Sequence, residues 1–283
     1  MVTGISGIDH VLVGVRDLEA ARRDYERLGF TLTPRGSHIG WGTANYCVMF
    51  PDDYVELIGI VDPSQFSNNL DKFLAQREGL MGLAFAASDA AATAAALRRR
   101  SIAADGPKTL ERRLELPEGT VLPRFDLLFF PEGATPGLNA FVCSHLTPEL
   151  VRRPDWLRHP NGARGLTSIT VVVDDPPALF ESYEKLLGHG SVTPTDDLIT
   201  VRLGRHAILF VDPDELSVLH PTADPFEGVE PPYPAAMNIR VAAIDETAAH
   251  LKSRGVSFSR EADGTLVVPP EAARGLWLTF SVR

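Results

Sequence analysis

Cysteines and clusters of basic residues are scarce in this sequence, and both absences narrow what the protein can do. Two cysteines occur in 283 residues, and each lies in an apolar, strand-like run. Cys47 and Cys143 are therefore expected to be buried and reduced rather than part of a disulfide framework. The formal net charge is -10, and no lysine- or arginine-rich stripe offsets it. An acidic surface repels phosphate backbones and anionic lipid headgroups, so we expect neither nucleic-acid nor membrane-surface partners.

Signals of several other protein classes are absent. Residues 1–7 are uncharged and glycine-rich, unlike a secretory leader. The longest weakly polar stretch, residues 80–97, contains Ser88 and Asp89 and makes a poor membrane span. The sequence also lacks a dinucleotide fingerprint, a phosphate-binding loop, a His-Glu-x-x-His or Cys-x-x-Cys pair and a serine-nucleophile elbow. We therefore expect a soluble, cytoplasmic protein.

What the sequence does contain is one pattern that occurs four times: a strand, a capped helix and further short strands. In the first copy, a strand over residues 9–15 leads to Asp17, whose carboxylate can accept hydrogen bonds from the free N–H groups that open a helix. Apolar residues then recur at helical spacing until Gly29, which favours a left-handed stop. These apolar positions are Leu18, Ala21, Tyr25 and Leu28.

The three later copies follow the same order. Their helices are predicted to begin at Asp89, Asp174 and Asp245, after first strands at residues 83–87, 167–173 and 239–243. Repetition of this kind is typical of tandem structural units. The sequence therefore predicts an α+β fold of four βαβββ modules; an ordinary α+β domain with accidental similarity is the alternative.

The length of the chain and one turn sequence divide these copies into two pairs. A chain of 283 residues, 44% of them apolar, is long enough to bury two cores. The segment 146–165 separates the second copy from the third and contains the turn sequence His-Pro-Asn-Gly at residues 159–162. We predict one pair of modules over residues 1–155 and a second pair over residues 156–283.

Short motifs give a resemblance to a known superfamily. Asp-His-Val at residues 9–11, Leu-Gly-Phe at 28–30 and Tyr-Val-Glu-Leu at 54–57 resemble the vicinal oxygen chelate superfamily. This superfamily includes glyoxalase I, extradiol ring-cleaving dioxygenases, fosfomycin-resistance enzymes and bleomycin-binding proteins. Residues 33–45 and 145–163 resemble its glyoxalase-like branch. The resemblance is good over residues 8–60, weaker to about residue 173, and beyond that only topological.

The resemblance implies that paired modules form cup-shaped mixed sheets with helices on the outside. It also implies a divalent metal on the concave side, with ligands from the first and fourth strands of each module. Because this fold carries several chemistries, the site must decide the function.

His10 and Glu56 are the first candidate ligands. Side chains alternate between the faces of a strand, so Val11 and Val13 predict a core face while His10 points into the cup. Glu56 lies in an apolar strand, where burial is costly unless the carboxylate is paired or binds a cation. Both residues match the first-module ligand positions of the superfamily. A hydrogen-bonded His–Glu pair in the core is the alternative.

The second module departs from the superfamily pattern. Aligning Asp89 with Asp17 puts Gly82 at a usual ligand position, which glycine cannot fill. His145, at the end of a later strand, is the best replacement. With His10 and Glu56 it would form a set of two histidines and one carboxylate, suited to Fe, Mn or Zn with open positions for substrate; Ni is also considered. A strand-terminal His145 bound to a backbone carbonyl is the alternative.

Other residues are candidates for the rest of the site. His38 lies in a glycine-rich hairpin and is expected to act as a ligand or proton shuttle, with a solvated loop histidine as the alternative. We assign Glu56 and His38 as the catalytic candidates. The expected substrate-pocket residues are Trp41, Asn45 and Tyr54.

The C-terminal half offers less chemistry. Its first-strand positions corresponding to His10 are Ser168 and Asn238, neither of which supports a transition-metal site. Ser168, Thr170, Asn238 and Arg240 would give a polar concave face instead. His159 is interpreted as a structural turn residue. We expect this half to be a degenerate copy or a scaffold.

The resulting functional hypothesis is a metal-dependent glyoxalase-like enzyme, an isomerase or lyase acting on a small substrate with oxygens on adjacent atoms. An Fe(II) extradiol-type ring-cleaving dioxygenase is one alternative, since it uses the same kinds of ligand. A non-catalytic protein that binds small molecules or drugs is the other, favoured by Gly82. Paired modules permit a monomer, but related proteins often dimerise, and we expect a homodimer.

Overall fold

The computed structural model describes residues 3–195 and 197–282, which form two β-sheets with flanking helices. Residues 1 and 2 of the uncharged N-terminal stretch lie outside the described residues. The N-terminal sheet contains β1 Ile5–Gly14, β2 Gly36–His38, β3 Thr43–Met49, β4 Tyr54–Ile60, β5 Gly79–Ala87, β6 Asp105–Leu116, β7 Gly119–Val121, β8 Arg124–Phe129 and β9 Ala140–His145. The helices of this half are α1 Leu18–Arg27, α2 Leu70–Gln76 and α3 Ala90–Arg99.

The N-terminal sheet closes on itself. Its strand order is β2-β3-β4-β1-β5-β9-β8-β6-β7, and β2 also pairs with β6. Eight strands therefore form a barrel-like cup, with β7 attached outside the ring. The closing contact is antiparallel and sets His38 opposite Arg112. Side chains that point inward from these strands line an enclosed interior.

Capping and periodicity explain α1 and α3. The Asp17 carboxylate accepts a hydrogen bond of 2.8 Å from the Ala20 N–H, and Gly29 has a φ of +92° after the helix. The Asp89 carboxylate caps α3 in the same way, at 2.9 Å from the Ala92 N–H. These caps confirm the predicted helix starts. The apolar faces of both helices pack against the outside of the cup.

The C-terminal half forms a second mixed sheet with strand order β11-β12-β13-β10-β14-β17-β16-β15. Its strands are β10 Ala163–Val172, β11 Val192–Pro194, β12 Leu198–Leu203, β13 His206–Val211, β14 Tyr233–Val241, β15 Ser259–Arg260, β16 Leu266–Val268 and β17 Trp277–Ser281. Its helices are α4 Phe180–Leu187, α5 Leu216–Leu219 and α6 Ile244–Ser253. Between the described strands no pairing joins β11 to β15, so this sheet stays open.

The second sheet is filled by its own chain. Residues 212–232, which include α5, cover the face opposite α4 and α6. There Leu216 and Ala223 pack against the sheet residues Val172 and Tyr233. On that face Thr170 is buried, and its hydroxyl lies 2.8 Å from His220 Nε2. Of the four residues predicted for a polar concave face, Thr170 is therefore covered, Ser168 and Asn238 are half-buried, and Arg240 is exposed.

The α+β class, the two mixed sheets and the outer helices agree with the sequence prediction, but several boundaries differ. Helix α2 and strands β6 and β7 were not predicted. Asp245 lies in the first turn of α6 rather than at its cap, and α4 starts at Phe180, after a short 3-10 turn, rather than at Asp174. No helix of the described residues is long and apolar enough to cross a membrane.

The two halves share one continuous apolar core. Phe30 of the first half stacks on Phe280 of the second, with ring centroids 6.0 Å apart. Beside this core, the fully buried Asp53 carboxylate accepts hydrogen bonds from the Leu166 N–H at 2.9 Å and from His206 at 3.1 Å. Because Asp53 belongs to the first half and its donors to the second, this carboxylate joins the two sheets.

Candidate metal centre

The N-terminal cup encloses a cavity with apolar walls and a polar floor. Its empty volume is about 560 Å³, including the part that opens to solvent. Apolar side chains supply most of the wall, among them Leu12, Ile58, Met81, Leu110, Leu127 and Phe141. The polar residues of the floor include His10, His38, Asn45, Glu56 and Arg112. An apolar cavity with a few convergent polar groups is the usual form of a small-molecule site.

His10 and Glu56 meet on neighbouring strands. β1 and β4 run parallel, with Leu12 paired to Glu56 and His10 paired to Tyr54. Nε2 of His10 lies 3.4 Å from Oε2 of Glu56, and each residue is 4% exposed. The His10 ring also stacks on Tyr54 with centroids 4.4 Å apart. The alternation predicted for β1 holds, since Val11 and Val13 belong to the core beneath the helices.

His38 joins the same carboxylate from the closing strand. Its Nε2 lies 3.6 Å from Oε1 of Glu56, and the side chain is 8% exposed, so the alternative of a solvated loop histidine is wrong. Asn45 donates a hydrogen bond of 2.6 Å to the same Oε1. Glu56 is thus held between two imidazoles and an amide.

The second nitrogen of each imidazole is already engaged. Nδ1 of His10 lies 2.7 Å from Oδ2 of Asp9, and Nδ1 of His38 lies 2.7 Å from Oγ1 of Thr43. We assign the ring protons to these Nδ1 atoms, because each faces an oxygen that can accept one. The Nε2 lone pair of His10 then faces Glu56, and that of His38 faces both Glu56 at 3.6 Å and the Asn45 Nδ2 at 3.3 Å. Histidines that bind metals are oriented by the same kind of contact at the other ring nitrogen.

The pKa values favour an ionised carboxylate beside a neutral imidazole. Burial would raise the pKa of Glu56, but His10, His38, the Asn45 amide and Arg112 outweigh it and hold this pKa below its usual value. Burial lowers the pKa of His38 to about 4, although Glu56 opposes that shift. A carboxylate that faces imidazole lone pairs is stabilised by a cation between them.

A second cluster lies behind His10 and depends on an irregularity in β1. The pairing of β1 with β5 shifts between Ile8 and His10, leaving Asp9 as an extra residue that reaches the same interior. Asp9, His10 and Cys143 form a group whose potential ligand atoms all lie within 4.8 Å of one another. Burial raises the pKa of the Cys143 thiol well above its usual value. Since His10 Nδ1 donates to Asp9 and the thiol stays protonated, we interpret this group as a hydrogen-bonded support.

His145 belongs to this second cluster. Its Nε2 lies 3.1 Å from both oxygens of Asp9, and Phe125 packs edge-on against its ring with centroids 4.9 Å apart. Burial would raise the pKa of Asp9, but His145 and His10 outweigh it and hold that pKa well below its usual range. Among the described residues, His145 makes no ion-pair contact with Glu56. The predicted third ligand therefore lies beside Asp9, on the far side of His10.

The second module supplies no ligand at the two corresponding positions. A Cβ at Gly82 would lie 2.1 Å from the Asn139 carbonyl oxygen, so no side chain fits there. Ala84 pairs with Phe141 in the parallel register that joins Leu12 to Glu56 in the first module. Phe141 thus occupies the counterpart of the Glu56 position, and its ring packs edge-on against His10 at 5.6 Å.

Arg112 is a polar residue of the floor that the sequence analysis missed. It is 2% exposed, its Nη1 donates to Cys47 Sγ at 3.1 Å, and its Nε has no hydrogen-bond partner among the described residues. The signal was the alternation of Leu110, Arg112 and Leu114 along one face of β6. That strand was not predicted, so the arginine was not placed in the interior.

Some of the remaining predicted residues line the cavity, and others have a structural role elsewhere in the fold. Trp41, Asn45 and Tyr54 line the cavity, and their role as substrate-pocket residues stays a prediction. Trp41 also packs edge-on against Phe66 with centroids 4.9 Å apart, near the opening. His159 lies elsewhere and receives the Thr31 N–H at 3.1 Å, as expected for a structural role. Both cysteines are buried and free.

A cup of strands flanked by helices, with imidazoles and a carboxylate meeting on its concave side, agrees with the fold that the resemblance to the vicinal oxygen chelate superfamily implied. A family model described as "Glyoxalase-like domain" matches residues 8–187, and the chain belongs to this family. The match runs from β1 through α4. A comparison with curated protein sequences gives no match.

Solved structures similar to this chain share its fold at low sequence identity. A hypothetical protein from Staphylococcus aureus has a TM-score of 0.69 and 13% identity, covering 97% of this chain and 98% of that one. A mutant of 4-hydroxymandelate synthase from Streptomyces coelicolor has a TM-score of 0.60 and 14% identity, covering 98% and 92%. The Mn(II)-bound glyoxalase from Novosphingobium aromaticivorans has a TM-score of 0.56 and 15% identity, covering 98% and 81%.

Proposed function

We propose that this protein is a metal-dependent enzyme of the glyoxalase-like type, an isomerase or lyase that acts on a small substrate with oxygens on adjacent atoms. One observation carries the proposal: His10 and His38 direct Nε2 toward the two oxygens of a single buried carboxylate, at 3.4 and 3.6 Å. A Mn(II)-bound glyoxalase among the similar folds supports it.

The donor set fits a divalent cation such as Fe, Mn, Zn or Ni. His10 and Glu56 would hold the ion, as expected from the sequence, and His38 is the third donor that the distances favour. His145 as the third ligand remains a prediction, and its contacts with Asp9 suit a support for His10 instead. Two imidazoles and one carboxylate leave coordination positions for water and substrate.

The side chains around the ion have separate tasks in the proposed reaction. A bound divalent ion would hold two substrate oxygens and stabilise the negative charge of an enolate-like state. Glu56, ionised by its surroundings, would either remain a ligand throughout or accept a proton after partial release from the ion, while the Asn45 amide holds one of its oxygens. Proton transfer through Nε2 is the alternative role of His38 to that of a ligand, since Thr43 already holds its other ring nitrogen. The apolar wall excludes water.

A ring-cleaving dioxygenase and a binding protein are the competing functions. The same donor set would suit Fe(II) in an extradiol-type enzyme. The binding-protein alternative rests on Gly82 and Phe141, since the second module supplies no ligand at either position. Oxygen consumption with catechol-type substrates would identify the dioxygenase, and turnover without oxygen would favour the isomerase or lyase.

The two halves have different proposed roles. We propose that the chain is built of four copies of one βαβββ unit. A strand, a helix and three strands follow one another in the first, third and fourth quarters, and the second has the same order with one added strand, β7, which supports this proposal. Residues 212–232 cover the inner face of the C-terminal sheet, which supports a scaffold role for that half.

Metal content tests the proposal most directly. Untagged protein purified without chelators is measured by plasma mass spectrometry, alongside His10→Ala, Glu56→Gln and, as a matched control, His250→Ala on the outer helix α6. We expect one equivalent of Fe, Mn, Zn or Ni in the wild type and the control, and loss of the ion in the two site variants with melting curves intact. Wild-type protein that stays metal-free after reconstitution would move the function to the binding protein.

A further inference from the structure

Arg112 is a buried cation without a carboxylate partner, and it faces the cavity. Within the described residues no carboxylate oxygen lies within 4.0 Å of its guanidinium, and its one hydrogen bond is to the Cys47 thiol, a weak acceptor. Burying a cation without pairing it is costly, and a buried donor left without a partner costs further stability. The arrangement is therefore incomplete in the absence of a ligand.

The surrounding residues hold the guanidinium in place, and Glu56 interacts with its charge from beyond the distance of an ion pair. Gly36 makes room for the side chain, because a Cβ there would lie 2.8 Å from Arg112 Cδ. The Phe125 ring lies 5.8 Å from the guanidinium carbon and supports one face of it. His38, directly opposite across the β2–β6 pairing, brings the ion site onto the neighbouring strand. A planar fork of donors fixed beside the ion site matches the geometry of a carboxylate.

The charges of the residues that line the cavity also favour an anionic ligand. Among the described residues that line the cavity, Glu56 carries one negative charge and Arg112 one positive charge. Imidazoles that bind a metal are neutral. A divalent ion would then leave a net positive charge that an anionic ligand can offset.

From these contacts we infer that Arg112 anchors a carboxylate, and that the substrate is a small carboxylic acid with an apolar body. The inference rests on the proposed function in taking this cavity as the substrate site. It adds the substrate class and a residue that determines specificity. The apolar wall receives the body of the acid while the guanidinium binds its charged end.

The test compares an acid with its neutral counterpart in chelator-treated protein, where no ion can bind the carboxylate. The probes are 3-phenylpropanoate and 3-phenylpropanamide, measured by isothermal titration at constant salt. We expect the acid to bind about tenfold more tightly than the amide, as a charge-assisted hydrogen bond requires. Equal affinity for the two probes would overturn the inference, and this comparison needs no variant.

Variants then assign the preference to Arg112. Arg112→Gln should remove the preference for the acid, and Arg112→Lys should keep part of it. Arg113→Gln is the matched control, since Arg113 is the next residue and is exposed on the opposite face of β6, and it should leave the preference intact. A preference that survives Arg112→Gln would also overturn the inference.

A second variant covers the case in which Arg112→Gln fails to fold. Glu56→Gln removes the negative charge nearest the bound acid, so it should strengthen acid binding relative to amide binding. Weaker or unchanged acid binding in this variant contradicts the inference. Metal content is measured on protein from the same preparations before chelator treatment and tests the proposed metal-dependent function separately. Carboxylate binding by Arg112 and metal dependence can therefore be disproved independently.

Discussion

At the scale of single residues, the site depends on a glycine as much as on its charged groups. A Cβ at Gly36 would lie 2.4 Å from Asn45 Oδ1 and 2.8 Å from Arg112 Cδ. Asn45 donates to Glu56, and Arg112 lies opposite His38 on the neighbouring strand. The absence of a side chain at Gly36 therefore lets Asn45 and Arg112 approach the other polar residues of the cavity floor. The backbone of Gly36 is not in the left-handed region, so the constraint comes from the neighbouring side chains alone.

Gly36→Ala should therefore damage binding more than folding. The added methyl pushes Asn45 and Arg112 away from Glu56, and we expect the site to lose metal and acid affinity by about tenfold or more. The stability loss should be about 1–2 kcal/mol, as for an overpacked core position. Metal content, titration with 3-phenylpropanoate and urea unfolding measure the two effects.

Gly165→Ala is the matched control for this substitution. A Cβ at Gly165 would lie 3.5 Å from its nearest atom, an oxygen of Asp53, in ordinary contact. Binding should be unchanged and stability should shift by less than about 0.5 kcal/mol. Equal behaviour of the two alanine variants would show that Gly36 does not shape the site.

At the scale of elements, the short strand β2 closes the cup and carries His38. It pairs with β3 on one side and with β6 on the other. Proline in such a central strand removes a backbone donor and collides with its neighbours. Ser37 is the middle residue of β2, so its backbone lies at the centre of this closure.

Ser37→Pro is expected to open the cup while Ser37→Ala leaves it closed. The proline variant should lose its metal and about 3 kcal/mol of stability. The alanine variant removes only the hydroxyl and should bind metal like the wild type. Circular dichroism melting and metal analysis distinguish these outcomes, and a proline variant that retains metal would show that the closure does not position His38.

Sequence reasoning predicted local elements well and the closure of the sheet poorly. Asp17 and Asp89 marked helix starts, and the alternation along β1 put His10 in the cup, because caps and strand faces are set by neighbouring residues. The β2–β6 pairing depends on residues far apart in the chain, and nothing in either segment encodes it. Asp9 escaped notice for a related reason, since strict alternation puts it opposite His10 and only the shift in the β1–β5 register turns it inward.

At the scale of the whole molecule, one buried carboxylate connects the halves. Asp53 has no exposure, and its donors, the Leu166 N–H, Arg205 and His206, all come from the C-terminal half. His206 in turn accepts the Ile8 N–H at 3.0 Å, so that both halves contribute to this network. Removing the carboxylate would leave several buried donors without a partner.

Asp53→Ala should destabilise the molecule by about 3–5 kcal/mol, the range for breaking a buried charged network. Asp52→Ala serves as the control, because its exposed carboxylate contacts the same Arg205 and should contribute less than about 1 kcal/mol. Urea unfolding of both variants measures the difference. A similar small loss in the two would mean that the apolar core alone holds the halves together.

The closing contact of the cup also has a consequence for the order of folding. It joins residues 36–38 to residues 112–114, with roughly 75 residues of chain between them. Hairpins such as β3–β4 and β12–β13 close short loops and can form early, whereas a contact of such sequence separation forms late. The residues that would hold the ion and the acid therefore come together among the last steps of folding, and a ligand that binds them selects the fully closed chain.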